Sequence, residues 1–222
     1  MRRLVSFIIL MFIKTFSKAF FKLEVEWISD KKGFEDLRMV VLLNHTSLYE
    51  PLFLAAAPNW FLWRLAQKMV APGADKTLNR PLVGLFWKFM APGLMPITRK
   101  RDKSWFKFLQ AIQNKNIVLI APEGRMKRSS GFDSKGKPMS VRSGIAEIIN
   151  EIDDGRILIG YSGGLHHVQH PGQLLPRLFQ TIRLNLESVD VQEYKDKLQS
   201  SGIQFRKDVV SDLEARLHTN TP

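Results

Sequence analysis

The amino-acid sequence predicts a single α/β domain with a largely parallel or mixed central sheet flanked by helices, preceded by an amphipathic N-terminal helix. Three observations carry this expectation. Short apolar runs rich in β-branched residues alternate with longer segments whose apolar residues recur at helical spacing, the pattern of strands joined by crossover helices. The clearest runs, at 38–43 and 117–121, are too short for helices and apolar nearly throughout, as expected of strands buried on both faces. The 222 residues suffice for one sizeable core, and no internal repeat or heptad array divides them.

At the N-terminus, Met1-Arg2-Arg3 precedes ten apolar or small residues, after which Lys14, Lys18 and Lys22 stand among Phe12, Phe16, Phe20 and Phe21. A spanning helix needs about 20 apolar residues, so this run is too short to span alone, and with no small-residue cleavage site following it a signal peptide is not expected. Lysines four apart place a basic stripe on a helix whose other faces carry Phe, Ile and Leu, a pattern suited to the headgroup layer of a bilayer. Residues 1–28 are therefore expected to be an amphipathic membrane-associating segment, and 29–222 one domain. The plainer alternative docks this helix on its own domain.

Residues 38–43 are expected to be a buried strand that delivers Asn44 to a sheet edge, followed by a helix at 48–57 and a strand at 68–71. Pro81 suits the first turn of a helix over 81–90, where Leu82, Leu85, Phe86 and Phe89 recur at helical spacing. Residues 94–98 are strand-like. Trp105, Phe106, Phe108, Leu109 and Ile112 form an amphipathic helix face with Asp102 or Ser104 as cap, and 117–121 is the clearest strand. Beyond a loop rich in Gly, Ser and Lys at 127–138 come a helix at 141–151 and a strand at 156–161. Alternating apolar and polar residues suggest an edge strand at 181–186. Two amphipathic helices complete 189–217, the last with Val209, Val210, Leu213 and Leu217 on one face.

Lys and Arg number 33 against 21 Asp and Glu, a formal charge of +12. The partner expected is anionic: nucleic acid, anionic lipid or an acidic carrier protein. The absence of Cys excludes disulfides, thiolate metal sites and Cys nucleophiles, and agrees with a reducing compartment.

Three constellations carry chemistry. Asn44-His45-Thr46-Ser47-Leu48-Tyr49-Glu50 lies where the first core strand gives way to a helix. Histidine suits base work at neutral pH, and a carboxylate five residues on can hold the ring nitrogen opposite the reacting one; the alternative is a capping turn with Glu50 as an ordinary first-turn acid. Pro122-Glu123-Gly124-Arg125 follows its strand directly, at the end where ligands of open α/β sheets collect. Arg125 can fork onto a phosphate, Gly124 lets the backbone approach it, and Glu123 can position the arginine. A turn with a surface ion pair explains these residues equally well. Gly93-Leu94-Met95-Pro96-Ile97-Thr98-Arg99, continuing into Lys100 and Arg101, ends another short strand. If that strand is parallel, Arg99 shares a rim with His45 and Arg125; otherwise the three cations are a solvated face.

In this order, N-H-T-S-L-Y-E, P-I-T-R and P-E-G-R resemble the family of 1-acylglycerol-3-phosphate acyltransferases and related glycerolipid acyltransferases, over residues 38 to 165 or so. The resemblance implies His45 as general base and Glu50 as the acid that orients it, with Arg99, Glu123, Gly124 and Arg125 as the acceptor-phosphate site. It further implies acyl-CoA or acyl carrier protein as donor and a lysophospholipid as acceptor, 1-acylglycerol-3-phosphate giving phosphatidic acid, at the cytoplasmic face of the cell membrane. Neither metal nor other cofactor is expected. This chain departs from the family pattern twice. Glu50 stands where Asp is usual and adds a methylene of reach; no Thr separates Gly124 from Arg125, so the arginine is shifted and Lys127 or Arg128 is placed to substitute. The fourth block, at best Ile157-Leu158-Ile159-Gly160-Tyr161, matches poorly and contributes no site residue.

Other readings compete. Gly160-Tyr161-Ser162-Gly163-Gly164 fits G-x-S-x-G, the elbow of a serine hydrolase with Ser162 as nucleophile and Asp190 and His218 as partners, but Pro171-Gly172 cuts short the helix it should open. His166 and His170 have the spacing of a helical metal pair, with His167 between them, yet no carboxylate stands near. Gly131 to Lys137 superficially fits a phosphate loop, but Pro138 replaces the required Ser or Thr. A basic nucleic-acid-binding module would interleave its aromatics with Lys and Arg on a strand face, whereas most Trp and Phe here fall at helix-core spacing. A membrane-binding module without catalysis has no need of His45 with Glu50.

Overall fold

Residues 1–222 are described by the computed structural model except 31, 75–77, 79–80, 99–100, 114, 171–172 and 174. Among the described residues, the strands are β1 (Lys22–Trp27), β2 (Leu37–Leu43), β3 (Met69–Ala74), β4 (Leu94–Ile97), β5 (Ile117–Ile120), β6 (Arg156–Ser162) and β7 (Thr181–Asp190). They form one sheet in the order β1-β7-β6-β2-β5-β3-β4. The run from β6 to β4 is parallel, while β7 is antiparallel to β6 and parallel to β1. The sheet is therefore mixed.

Central β2 shows why its sequence is apolar without alternation. Met39, Val41 and Leu43 are fully buried in one layer, and Leu37, Val40 and Leu42 pack into the opposite one, so the strand has no solvent face to make polar. One face of the sheet is covered by α4 (Lys103–Ile112), α5 (Gly144–Asn150), α6 (Val191–Leu198) and α7 (Gly202–Asn220). There Phe108, Ile112, Ile145, Ile148 and Val209 share a core with Met39, Val41 and Ile157. The other face carries α1 (Arg2–Phe20), a 3-10 helix (Glu50–Ala56), α2 (Asn59–Lys68) and α3 (Pro81–Met90). Leu10, Phe53, Leu62 and Met90 there share a core with Leu158, Ile182 and Leu184. Each fully buried large side chain contributes about 1.5–3 kcal/mol against chain entropy.

Several elements differ from expectation for identifiable reasons. The helix expected at 48–57 is a 3-10 helix with Pro51 in its first turn, and the Glu50 carboxylate binds the backbone just ahead of it. Strand β1 lies inside the segment assigned to the N-terminal amphipath; Leu23, Val25 and Trp27 alternate there with Lys22, Glu24 and Glu26. By pairing with β7 it takes the sheet edge, so β7 is an interior strand rather than an edge strand. The alternation of β7 instead reflects its two surroundings: Ile182, Leu184 and Leu186 enter the α1-side core, while Asn185 and Glu187 meet Asn220 and Arg216 of α7. Of the two candidate caps for α4, Asp102 serves, accepting from the backbone N–H of Ser104.

Helix α1 docks on its own domain through Ser6, Leu10, Lys14 and Ser17. Ser6 Oγ donates to the Met90 carbonyl at 2.6 Å, and Lys14 Nζ donates to the Ala57 carbonyl at 2.6 Å and to Asn59 Oδ1 at 2.7 Å. The expected lysine stripe is thus broken: Lys14 points into the domain, where burial and the neighbouring Lys18 charge lower its pKa. The opposite face leaves Leu4, Ile8 and Phe12 exposed by 54%, 58% and 69%. Among the described residues, no helix is long and apolar enough to cross a membrane.

Candidate active site

The carboxyl ends of β6, β2 and β5 lie side by side, and the register that sets Leu43 against Tyr161 brings Asn44 beside Ser162. Asn44 adopts a left-handed conformation with φ of 63°, one that Asn tolerates better than most residues. Its Nδ2 donates to the Ser162 carbonyl at 2.8 Å, so the turn leaving β2 is locked to the end of β6. From the other side Glu123, 2% exposed, accepts the backbone N–H of Asn44 on Oε1 at 2.9 Å and that of His45 on Oε2 at 2.8 Å. Burial raises the Glu123 pKa, an effect these two hydrogen bonds and the adjacent His45 oppose.

Glu50 completes the turn. Its Oε1 accepts from the backbone N–H groups of Thr46 at 2.8 Å and Ser47 at 3.2 Å, and its Oε2 lies 2.5 Å from His45 Nδ1. A carboxylate that accepts at both oxygens selects the tautomer with hydrogen on Nδ1, which leaves the lone pair of Nε2 to act. Among the described residues, Nε2 has no hydrogen-bond partner. Burial lowers the imidazole pKa, but the hydrogen bond to Glu50 and the charges of Glu50 and Glu123 together raise it above its ordinary value. Sequence reasoning thus placed His45 and Glu50 together, and they are in contact.

The block at 122–125 is built differently from its expected use. Gly124 has φ of 63°, with nothing within 4 Å of where a Cβ would stand, so the glycine answers to the backbone turn and not to crowding. Arg125 pairs with Asp133, a buried carboxylate that also accepts the N–H groups of Lys135 at 2.8 Å and Lys137 at 2.9 Å. The Lys137 and Lys135 hydrogen bonds, joined by Arg125, hold the Asp133 carboxyl below its usual range. Arg125 is thereby engaged within its own loop. Arg99 and Lys100 lie outside the described residues, as do Pro171 and Gly172.

Lys127, two residues past the arginine, is tied to the His45 turn. Its N–H donates to the His45 carbonyl at 2.8 Å and its Nζ to Asn44 Oδ1 at 3.3 Å. Beside it opens a cavity of about 420 Å³ walled by Asn44, Thr46, Lys127, Arg128, Ser129 and His166, among others, with no acidic residue in its lining among the described residues. The backbone roles of Lys127 and Glu123 were missed in the sequence, because a motif marks residue types and not which main-chain groups they hold.

The competing sites fare otherwise. Ser162 is fully buried, its Oγ accepts from the Gly164 N–H at 3.2 Å, and a 3-10 turn (Leu165–His167) follows instead of a helix, so no nucleophile is presented. The Nε2 atoms of His166 and His167 donate to the carbonyls of Lys127 at 2.9 Å and Thr181 at 2.6 Å. Among the described residues, no group of three His, Asp or Glu is placed to hold a metal ion.

A polar turn held between parallel strands at their carboxyl ends is the layout of an α/β enzyme site. The chain belongs to the acyltransferase family, whose model matches residues 27–160. Its fold is similar to that of a solved structure, the 1-acyl-sn-glycerophosphate (LPA) acyltransferase PlsC from Thermotoga maritima, with a TM-score of 0.58 and 19% identity over 96% of this chain and 81% of that one. No curated protein matches the sequence.

Proposed function

We propose that this acyltransferase moves a fatty acyl group from a thioester, acyl-CoA or acyl carrier protein, to the hydroxyl of a lysophospholipid, with 1-acylglycerol-3-phosphate as acceptor and phosphatidic acid as product. The observation that carries the proposal is the 2.5 Å contact of His45 Nδ1 with Glu50 Oε2, at the head of a turn fixed on both sides. Nε2 of His45 takes the proton of the acceptor hydroxyl as its oxygen attacks the thioester carbonyl. The tetrahedral oxyanion collapses, the C–S bond breaks, and the proton held on His45 passes to the departing thiolate. Glu50 keeps the ring oriented and favours the imidazolium formed in between. No acyl-enzyme is required.

The acceptor phosphate is assigned to Lys127 and Arg128, which line the basic cavity, and to Arg99 on the sequence pattern alone, while Glu123 and Gly124 shape the turn and Arg125 braces its loop through Asp133. Leu4, Ile8 and Phe12 of α1, with Trp60 and Trp63 of α2 and Leu85, Phe86 and Phe89 of α3, form the exposed apolar groups that rest on the bilayer. The charge of +12 favours an anionic leaflet, such as the cytoplasmic face of the cell membrane. Nucleic acid has no part in this reading.

The test is transfer of labelled acyl groups, from acyl-CoA and separately from acyl carrier protein, to lysophosphatidic acid. Wild type is expected to form diacyl product with one of the donors, and folded His45→Ala to lose about 10²–10⁴-fold. An inactive wild type with both donors refutes the acceptor; an active His45→Ala refutes the base.

A further inference from the structure

We infer that His166, which lies outside the blocks that carry the family resemblance, is a positioning residue for the phosphate-binding loop. By donating to the Lys127 carbonyl, it fixes the segment that carries Lys127 and Arg128 against the His45 turn. The inference rests on the acyl-transfer reading for the identity of the phosphate, and on geometry for the rest.

The chain leaves β6 through Gly163 and Gly164, the latter at φ of 78°, and is caught at once by the His45 turn, where Leu165 N–H donates to Thr46 Oγ1 at 2.8 Å. This sets the next residue, His166, beside the 127–131 loop. Its Nε2 lies 2.9 Å from the Lys127 carbonyl oxygen. A carbonyl can only accept, so Nε2 carries the hydrogen in either protonation state. The His170 ring lies nearly parallel to the same imidazole, with centroids 6.1 Å apart and planes 12° from parallel.

Lys127 is consequently held at three points: by its N–H to His45, by its carbonyl to His166 and by its Nζ to Asn44. Beyond it, Arg128 N–H donates to the Phe132 carbonyl and Gly131 N–H to the Arg128 carbonyl, closing the loop on itself. Of the three ties on Lys127, only the one from His166 comes from outside the two motif segments. Without it, the loop that presents both cations is anchored on one side alone. His45 itself keeps its bonds to Glu123 and Glu50. The consequence is selective: acceptor binding weakens while the base stays in place.

Steady-state kinetics of the full chain, varying lysophosphatidic acid and donor in turn, should separate His166→Ala, His166→Phe and His166→Gln. Losing one hydrogen bond is expected to raise the acceptor KM about tenfold in the Ala variant, with kcat and donor KM near wild type. Phe keeps an aromatic ring without the donor and should behave as Ala; Gln can donate again and should restore the acceptor KM. Amide hydrogen exchange of residues 127–131 is expected to quicken in Ala and Phe and recover in Gln, whatever the activity. An unchanged KM in the Ala variant, or Phe and Gln behaving alike, overturns the inference. If wild type transfers no acyl group to lysophosphatidic acid, the functional reading falls and the exchange pattern alone decides the positioning role.

Discussion

Glu123 holds His45 by its backbone: Oε2 accepts the His45 N–H at 2.8 Å while Oε1 accepts that of Asn44 at 2.9 Å. A residue expected to assist phosphate binding thus holds the peptide that carries His45. Glu123→Gln leaves one acceptor where two are needed and turns an NH₂ toward an N–H. A buried donor without a partner costs about 1–3 kcal/mol, so kcat should fall about tenfold or more with a lower thermal midpoint, the acceptor KM changing less. Fluorescence-monitored melting beside steady-state assays checks both.

The extra methylene of Glu50 spans from the start of the 3-10 helix to two backbone N–H groups and to the imidazole at once. Glu50→Asp, although it restores the residue usual in related proteins, is expected to shorten that reach. A loss of roughly 10-fold in kcat is expected, in line with the 10²–10⁴-fold worth of positioned acid–base groups. Equal activity of the two would show that the span is unimportant.

The pH dependence has a definite sign. In the proposed mechanism His45 acts as the neutral imidazole, and Glu50, helped by Glu123, raises its pKa above the ordinary 6.5 against the effect of burial. The acid limb of kcat/KM should therefore titrate above that value. Glu50→Gln removes the larger raising influence and leaves burial opposed by Glu123 alone, so the limb should move to lower pH even as the rate drops. The same linkage acts on folding: protonated His45 is favoured in the native state, so its stabilisation is complete below 6.5 and is lost as pH rises through the native value. Chemical denaturation at several pH values, compared with His45→Ala, reads this contribution.

Arg125 and Lys127 should part company under mutation. Lys127→Ala with Arg128→Ala is expected to raise the acceptor KM by about tenfold or more, as loss of charge-assisted hydrogen bonds implies, and to leave the donor KM alone. Arg125→Ala strips the buried Asp133 of its cation and should show first as a lower melting temperature.

Binding to bilayers gives the last prediction. Replacing Leu4, Ile8 and Phe12 with Ser removes apolar area from the outer face of α1 without touching Ser6, Leu10, Lys14 or Ser17 beneath. Co-sedimentation with vesicles containing anionic phospholipid should drop while circular dichroism is unchanged. Retention of binding would place the contact elsewhere.

Much of this architecture was legible in the chain because local pattern and tertiary role coincide. Ile117 to Ile120 and Met39 to Leu43 are apolar without alternation since both sheet faces are covered, and the pairing of His45 with Glu50 is set within six residues. What escaped depends on distant partners. Nothing local reveals that β1 pairs with Thr181 to Leu186, nor that Lys14 finds the Ala57 carbonyl instead of a headgroup. The Arg125 pairing with Asp133 escaped for a related reason: the seven residues between them include Ser129, Ser130 and Gly131, which could have taken the loop elsewhere.

The bond from Asn44 to the carbonyl of Ser162 spans 118 residues of sequence. During synthesis the strand leading to His45 is therefore complete long before β6 exists, and parallel pairing of such distant segments is slow to form. A nascent chain that stops short of β6 carries α1, with Leu4, Ile8 and Phe12, and the whole His45 turn with its Glu123 brace, but lacks the Ser162 carbonyl that holds the other side. The turn is thus locked on both sides only late in synthesis, and a chain ended before Ser162 holds it from one side alone.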